Sequence, residues 1–181
     1  MPKIELETFQ RLLFRTAFCL MACDGDIDDR EIAEMRKMNE AGPYFKGIDL
    51  SDELAELLRD LKEKGRKIVE ELFQTLKRVD LDFVQELLLL EISIRIINAD
   101  ERVDENEIKF LRYLRSYLKV YDEIIRERFG PIEYLFDKTY SQDIIIRSEE
   151  NELFKKITAT EIKYLEEIDL SFLDSKENQD A

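Results

Sequence analysis

Apolar residues recur at spacings of three and four from Glu5 to Lys119, the signature of helices that each bury one stripe. From about Glu5 to Ala22 the stripe is Phe9, Leu12, Leu13, Ala17, Leu20 and Met21. Phe14 and Phe18 widen it, so this helix is expected to be buried on more than one side. A second helix is expected from Asp28 to Ala41, where Gly42-Pro43 is a stop signal. Residues Pro43 to Leu50 read as a loop carrying exposed aromatics, Tyr44 and Phe45. They serve either to dock a partner or to fold the loop back onto the bundle. Ser51 predicts the N-cap of a helix carrying Leu54, Leu57, Leu58 and Leu61. At Gly65 that helix bends or gives way to another, whose stripe runs from Ile68 to Leu76. Asp80 or Asp82 caps the next helix, which is apolar on nearly every face from Phe83 to Ile97 and is therefore expected at the centre. A helix from Asp104 to Lys119 follows, then shorter ones at 122–129 and 131–138. Ile144-Ile145-Ile146 suits a short strand, 160–167 another helix, and 175–181 a frayed tail.

Two stretches match at an offset of 76 residues. Phe18 to Ile32 and Ile94 to Ile108 both read as an apolar helix, an Asp, a short polar turn, a β-branched residue, a second Asp, then Glu-Ile. This is a duplicated helix–acidic turn–helix unit. Helix capping explains much of it. Asp28 and Asp104 suit N-caps, Glu31 and Glu107 the reciprocal position of a capping box, and Ile27 and Val103 a hydrophobic staple. Asp24 and Asp100 fit that account less well, because each ends a helix at the negative pole of its dipole. An Asx-turn is one resolution. A hard cation is the other: Asp24, Asp26, Asp28 and Glu31 have the spacing of the last four ligands of an EF-hand loop. Leu20 and Ala22 would hold the first two positions and offer no side-chain oxygen. One copy is thus not an EF-hand, whereas two facing copies pool Asp24, Asp28, Glu31, Asp100, Asp104 and Glu107.

Composition narrows the choices. Five Gly and three Pro in 181 residues are too few for a β-sandwich. The expected fold is all-α, a pseudo-two-fold bundle of about seven to nine helices. It divides into a helical domain at 1–129 and a mostly helical extension at 130–181, packed on or continuing the bundle. A net charge of −14 argues against nucleic acid as a partner. With no His, imidazole acid–base chemistry is excluded, and any metal is an oxygen-liganded ion such as Ca²⁺ or Mg²⁺. Cys19 and Cys23 share a helix face and read as small buried hydrophobes, with too few soft ligands for zinc. The N-terminus lacks a signal-peptide pattern, and Glu86, Glu91 and Arg95 interrupt the longest apolar stretch. The expectation is a cytoplasmic protein with no membrane insertion, although a membrane-bound partner fits. No glycine loop cradles phosphate and Ser93 and Ser116 stand isolated, so no enzyme is expected. A protein partner is expected; nothing in the sequence defines the oligomeric state.

The residues Ala22-Cys23-Asp24-Gly25-Asp26-Ile27-Asp28-Asp29-Arg30-Glu31 resemble the Ala-x-Asp-Gly-x-Ile/Val-x-x-x-Glu signature of TerB-like proteins, the tellurite-resistance family. A related domain occurs in a membrane-anchored DnaJ-like co-chaperone. Asn98-Ala99-Asp100-Glu101-Arg102-Val103-Asp104-Glu105-Asn106-Glu107 is similar to that family's second signature. The resemblance covers roughly Glu5 to Lys119. It implies an all-helical pseudo-two-fold bundle with an acidic, metal-associated surface, acting without catalysis beside other tellurite-resistance or stress proteins. The positions it marks are Asp24, Asp28 and Glu31, then Asp100, Asp104 and Glu107. The chain departs from the pattern at Glu101, which stands where Gly is expected, and from Gly130 onward, which resembles nothing familiar.

Overall fold

A computed structural model describes residues 5–23, 29–42, 44–65, 67–99 and 103–136. The expected strand at 144–146, the helix at 160–167, the tail and most of the extension lie outside the described residues. So do Asp24, Ile27, Asp28 and Asp100. Among the described residues there are eight helices and no strand element: α1 Leu6–Met21, α2 Asp29–Ala41, α3 Leu50–Lys64, α4 Lys67–Arg78, α5 Phe83–Ile97, α6 Glu105–Tyr117, α7 Asp122–Phe129 and α8 Glu133–Phe136. The all-α expectation is met. None of these helices is long and apolar enough to cross a membrane.

The two most apolar helices, α1 and α5, pack against each other at the centre. α2 lies against α5, and α6 lies against both α5 and α1, so the second helix of each unit meets the first helix of the other. The correspondence reaches single residues. Gln10 and Glu86, 76 positions apart, are both buried polar groups in the first half of a central helix. Each approaches the connector that follows its unit's second helix. Glu86 Oε2 accepts from the Lys119 and Val120 backbone N–H groups, both at 2.7 Å. Gln10 Oε1 lies 3.5 Å from where a Cβ on Gly47 would stand, and Gly47 holds φ +96°.

Local boundaries follow from capping. Asp82 and Gln85 form a reciprocal capping box at the start of α5, with both bonds at 2.9 Å. At Gly65 the chain makes two helices rather than one bent helix. The residue has φ +56°, which suits a residue without Cβ, and its N–H closes α3 on the Leu61 carbonyl at 2.8 Å. The N-cap of α3 is Asp49 rather than Ser51. Its Oδ1 accepts from Ser51 N at 3.0 Å and Asp52 N at 3.1 Å, and starting the helix two residues earlier carries Leu50 into the core.

The loop after α2 corrects a second expectation. Phe45 is 1% exposed and meets Phe14 edge-on at 5.4 Å, so it is core rather than an exposed aromatic. Tyr44 is half-buried beside it. Val103, the expected staple residue of the second unit, is 41% exposed. Cys19 and Cys23 are both buried in the core, as their spacing on an apolar face predicts.

Candidate functional site

The second acidic unit is built from the end of α5 and the start of α6. Helix α5 closes with Asn98 N–H donating to the Ile94 carbonyl at 3.0 Å and Ala99 N–H to the Ile96 carbonyl at 2.9 Å. Asp104 then adopts an extended backbone and caps α6, its Oδ1 accepting from Asn106 N at 2.6 Å. Glu107 completes the box: its Oε2 accepts from Asp104 N at 2.9 Å. The Asp-led capping box expected from the spacing is therefore formed, with Glu107 buried beneath it.

The first unit matches where it is described. Glu31, 76 positions before Glu107, is buried in the first turn of α2. At the end of α1, Ala22 N–H donates to the Phe18 carbonyl at 3.0 Å and Cys23 N–H to the Leu20 carbonyl at 3.1 Å. Of the six acidic residues singled out, the structure brings Asp104 and Glu107 into contact and places Glu31 at the equivalent point of the other unit. Asp24, Asp28 and Asp100 lie outside the described residues. Among the described residues no group of three or more His, Cys, Asp or Glu side chains is arranged to hold a metal ion.

Sequence reasoning missed Tyr134, a residue of α8. Its hydroxyl lies 3.5 Å from Asn98 Oδ1, and its carbonyl accepts from Arg112 Nε at 2.8 Å. Burial, and the Glu107 carboxylate nearby, push the Tyr134 phenol above its usual range, against the bond to Asn98. α8 thus packs on α6 beside the second unit. No short-range signal links Tyr134 to Asn98, because the contact spans 36 residues.

A second polar constellation also went unread. Arg95 on α5 reaches Glu34 on α2 through Nε at 2.7 Å and Nη2 at 2.6 Å. Its guanidinium also lies over the Tyr44 ring at 5.8 Å. Glu91, one turn earlier, accepts from the Tyr44 hydroxyl and from Arg128 Nη2 on α7, both at 2.5 Å. Burial raises the Glu91 carboxyl, but the bonds from Tyr44 and Arg128 outweigh it and hold the group below its usual range. Tyr44 is pushed up by burial and by Glu91. These five residues tie α2, its following loop, α5 and α7 together.

Neither isolated serine is set up as a nucleophile. Ser93 is buried and donates to the Leu89 carbonyl at 2.8 Å, and Ser116 donates to the Tyr113 carbonyl at 2.6 Å. Both hydroxyls are engaged with their own helix rather than with a general base.

Comparison with known proteins agrees with the repeat. The family model described as tellurite resistance protein TerB matches residues 13–127, which span both helix–acidic turn–helix units. No curated protein and no solved structure matches the chain. With more than half of its length matched and the duplicated unit in place, the chain belongs to the TerB family.

Proposed function

We propose that this protein is a non-enzymatic interaction module of a tellurite-resistance or stress-response system, acting in the cytoplasm on a protein partner, with its acidic turns serving as helix caps. One observation carries the capping part: Asp104 and Glu107 exchange the two hydrogen bonds of a closed capping box, which accounts for both carboxylates without a ligand. The engaged hydroxyls of Ser93 and Ser116 support the non-enzymatic reading.

A second reading has one observation in its favour. Glu31 and Glu107 are buried at matched positions of the two units. In this reading a divalent cation, Ca²⁺ or Mg²⁺, is held by oxygens from Asp24, Asp28, Glu31, Asp100, Asp104 and Glu107. Thermal unfolding with millimolar Ca²⁺, with Mg²⁺ and with EDTA separates the two. A cation that binds only the folded chain raises the melting temperature with its concentration. Equal melting in all three solutions, together with a loss of about 0.5–2 kcal/mol in Asp104→Ala, leaves the capping reading. For the partner, charge reversal at Asp24 and Asp100 is expected to weaken recovery of a bound protein without lowering stability. Equal recovery from mutant and wild type would sink the idea that the acidic turns face the partner.

A further inference from the structure

From residue 12 to residue 22, burial repeats 76 positions later except on one stripe. Leu12, Cys19 and Ala22 are buried, but their counterparts are not: Leu88 is half-buried, the Arg95 side chain is 32% exposed and Asn98 is exposed. Leu88, Arg95 and Asn98 follow one another at helical spacing and so share one face of α5. On α1 the matching face lies under α3 and α4. Arg15 pairs with Glu56 and Asp60 of α3 at 3.8 and 3.7 Å, and the Glu71 carboxylate of α4 helps to raise the Cys19 thiol. On α5, α7 takes the part of α3: Arg128 donates to Glu91, the counterpart of Arg15.

The sequence holds a counterpart of α4. Residues 156–173, which lie outside the described residues, repeat 67–84 at an offset of 89. Lys67-Ile68 returns as Lys156-Ile157, Phe73 and Leu76 return as Ile162 and Leu165, and Val79-Asp80-Leu81-Asp82-Phe83-Val84 returns as Ile168-Asp169-Leu170-Ser171-Phe172-Leu173. The repeat thus spans α4, its connector and the start of α5, with Ser171 in the place of the N-cap Asp82. Two buried positions of α4 become polar in the copy: Val69 becomes Thr158 and Leu72 becomes Glu161. The acidic change answers a basic one, since Cys19 of α1 becomes Arg95 of α5.

We propose that residues 156–167 form a helix that covers the Leu88–Arg95–Asn98 stripe of α5 beside α2, as α4 covers α1 beside α6, with Glu161 facing Arg95. The charges along the stripe balance, Arg95 with Glu34 and Glu91 with Arg128. A helix of mixed charge, with Lys156 and Lys163 beside Glu161, Glu166 and Glu167, therefore meets no field of one sign. The chain also reaches. Its described part ends at Phe136 in α8, where the Tyr134 hydroxyl lies 3.5 Å from Asn98 at one end of the stripe. Residues 137–155 can extend about 60 Å, against about 22 Å for the whole of α5. A partner for this face would compete with the chain's own C-terminal segment. The inference concerns how the chain completes its fold and stands apart from the reading as an interaction module.

The test places a thiol under the cover. Leu88→Cys in the full chain is labelled with a maleimide, and the buried Cys19 and Cys23 report whether the bundle itself opens. Adding Ile162→Ser and Leu165→Ser is expected to speed labelling at position 88 about tenfold while Cys19 and Cys23 stay unreactive. Arg95→Glu is expected to speed it as well, and Glu161→Arg added to Arg95→Glu to slow it again, because reversing both charges keeps the pair. Equal rates with and without the serine changes overturn the proposal, and so does a Glu161→Arg change that leaves the Arg95→Glu rate unaltered. If the serine variant fails to fold, seen as labelling of Cys19 and Cys23, the charge-reversal pair decides alone. Protection of position 88 that rises with protein concentration assigns the stripe to a second copy and overturns the proposal. None of these outcomes bears on the interaction module, which charge reversal at Asp24 and Asp100 tests separately.

Discussion

Glu86 offers the sharpest test of how the bundle is held. The residue is 4% exposed, yet no Lys or Arg salt bridge to it is seen among the described residues. Its visible partners are two backbone N–H groups of the connector between α6 and α7. Replacing it with Ala strands both donors. The Val120 N–H is in the core, so it loses about 1–3 kcal/mol with no water to replace the carboxylate. The Lys119 N–H belongs to an exposed residue and recovers part of its loss from solvent. The expected destabilisation of Glu86→Ala is therefore about 2–4 kcal/mol, allowing for the charge that is no longer buried. Glu86→Gln keeps an acceptor oxygen and loses the charge assistance, so it is expected to cost about half as much. Urea unfolding followed by far-ultraviolet circular dichroism measures both, with the slope checked for constancy so that the midpoint reports stability. Two variants within about 0.5 kcal/mol of wild type would refute the reasoning, since that is the range of ordinary surface changes. Glutamine less stable than alanine would refute it equally.

Phe45→Ala should cost about 3–5 kcal/mol in the same urea assay, because the ring is fully packed against Phe14; a loss below about 1 kcal/mol would mean the loop is not part of the core. Glu91 has a folded-state pKa below its unfolded value. Its contribution to stability is therefore present above the unfolded carboxylate range and is lost as pH falls through the depressed folded value. Glu91→Gln should accordingly flatten the acid side of the stability–pH curve, and an unchanged curve would contradict the network with Tyr44 and Arg128. The Cys19 thiol, pushed up to about 12 by burial, should resist alkylation at neutral pH until the chain unfolds. Fast labelling in the native protein would show that α1 opens.

The symmetry of the fold has a functional corollary. The two units share a buried central helix, a buried Glu at the third position of the helix that follows, and a buried polar residue, Gln10 or Glu86, near the next connector. On the second unit, Tyr134 and Arg112 bring α8 into place through contacts more than 20 residues apart. Any partner or ion therefore meets a second unit whose flank is already occupied by α8.

Helix content, helix order, the central place of α5 and the capping box at Asp104 and Glu107 were all determined by the sequence alone. Each depends on spacings of a few residues, which set the buried stripe and satisfy the first N–H groups of a helix. The duplicated unit was legible for the same reason, as a repeated local pattern. Loops have no such period. Whether Phe45 faces water or Phe14, and whether α3 starts at Asp49 or Ser51, depends on what the neighbouring helices leave to be filled. Glu86 gave no sign of its role, because its donors are 33 and 34 residues away. The Tyr44–Glu91–Arg128 and Arg95–Glu34 contacts join residues from four segments of the chain. Only the tertiary placement of α2, its following loop and α7 beside α5 brings those groups within hydrogen-bonding distance, where desolvation makes each pairing matter.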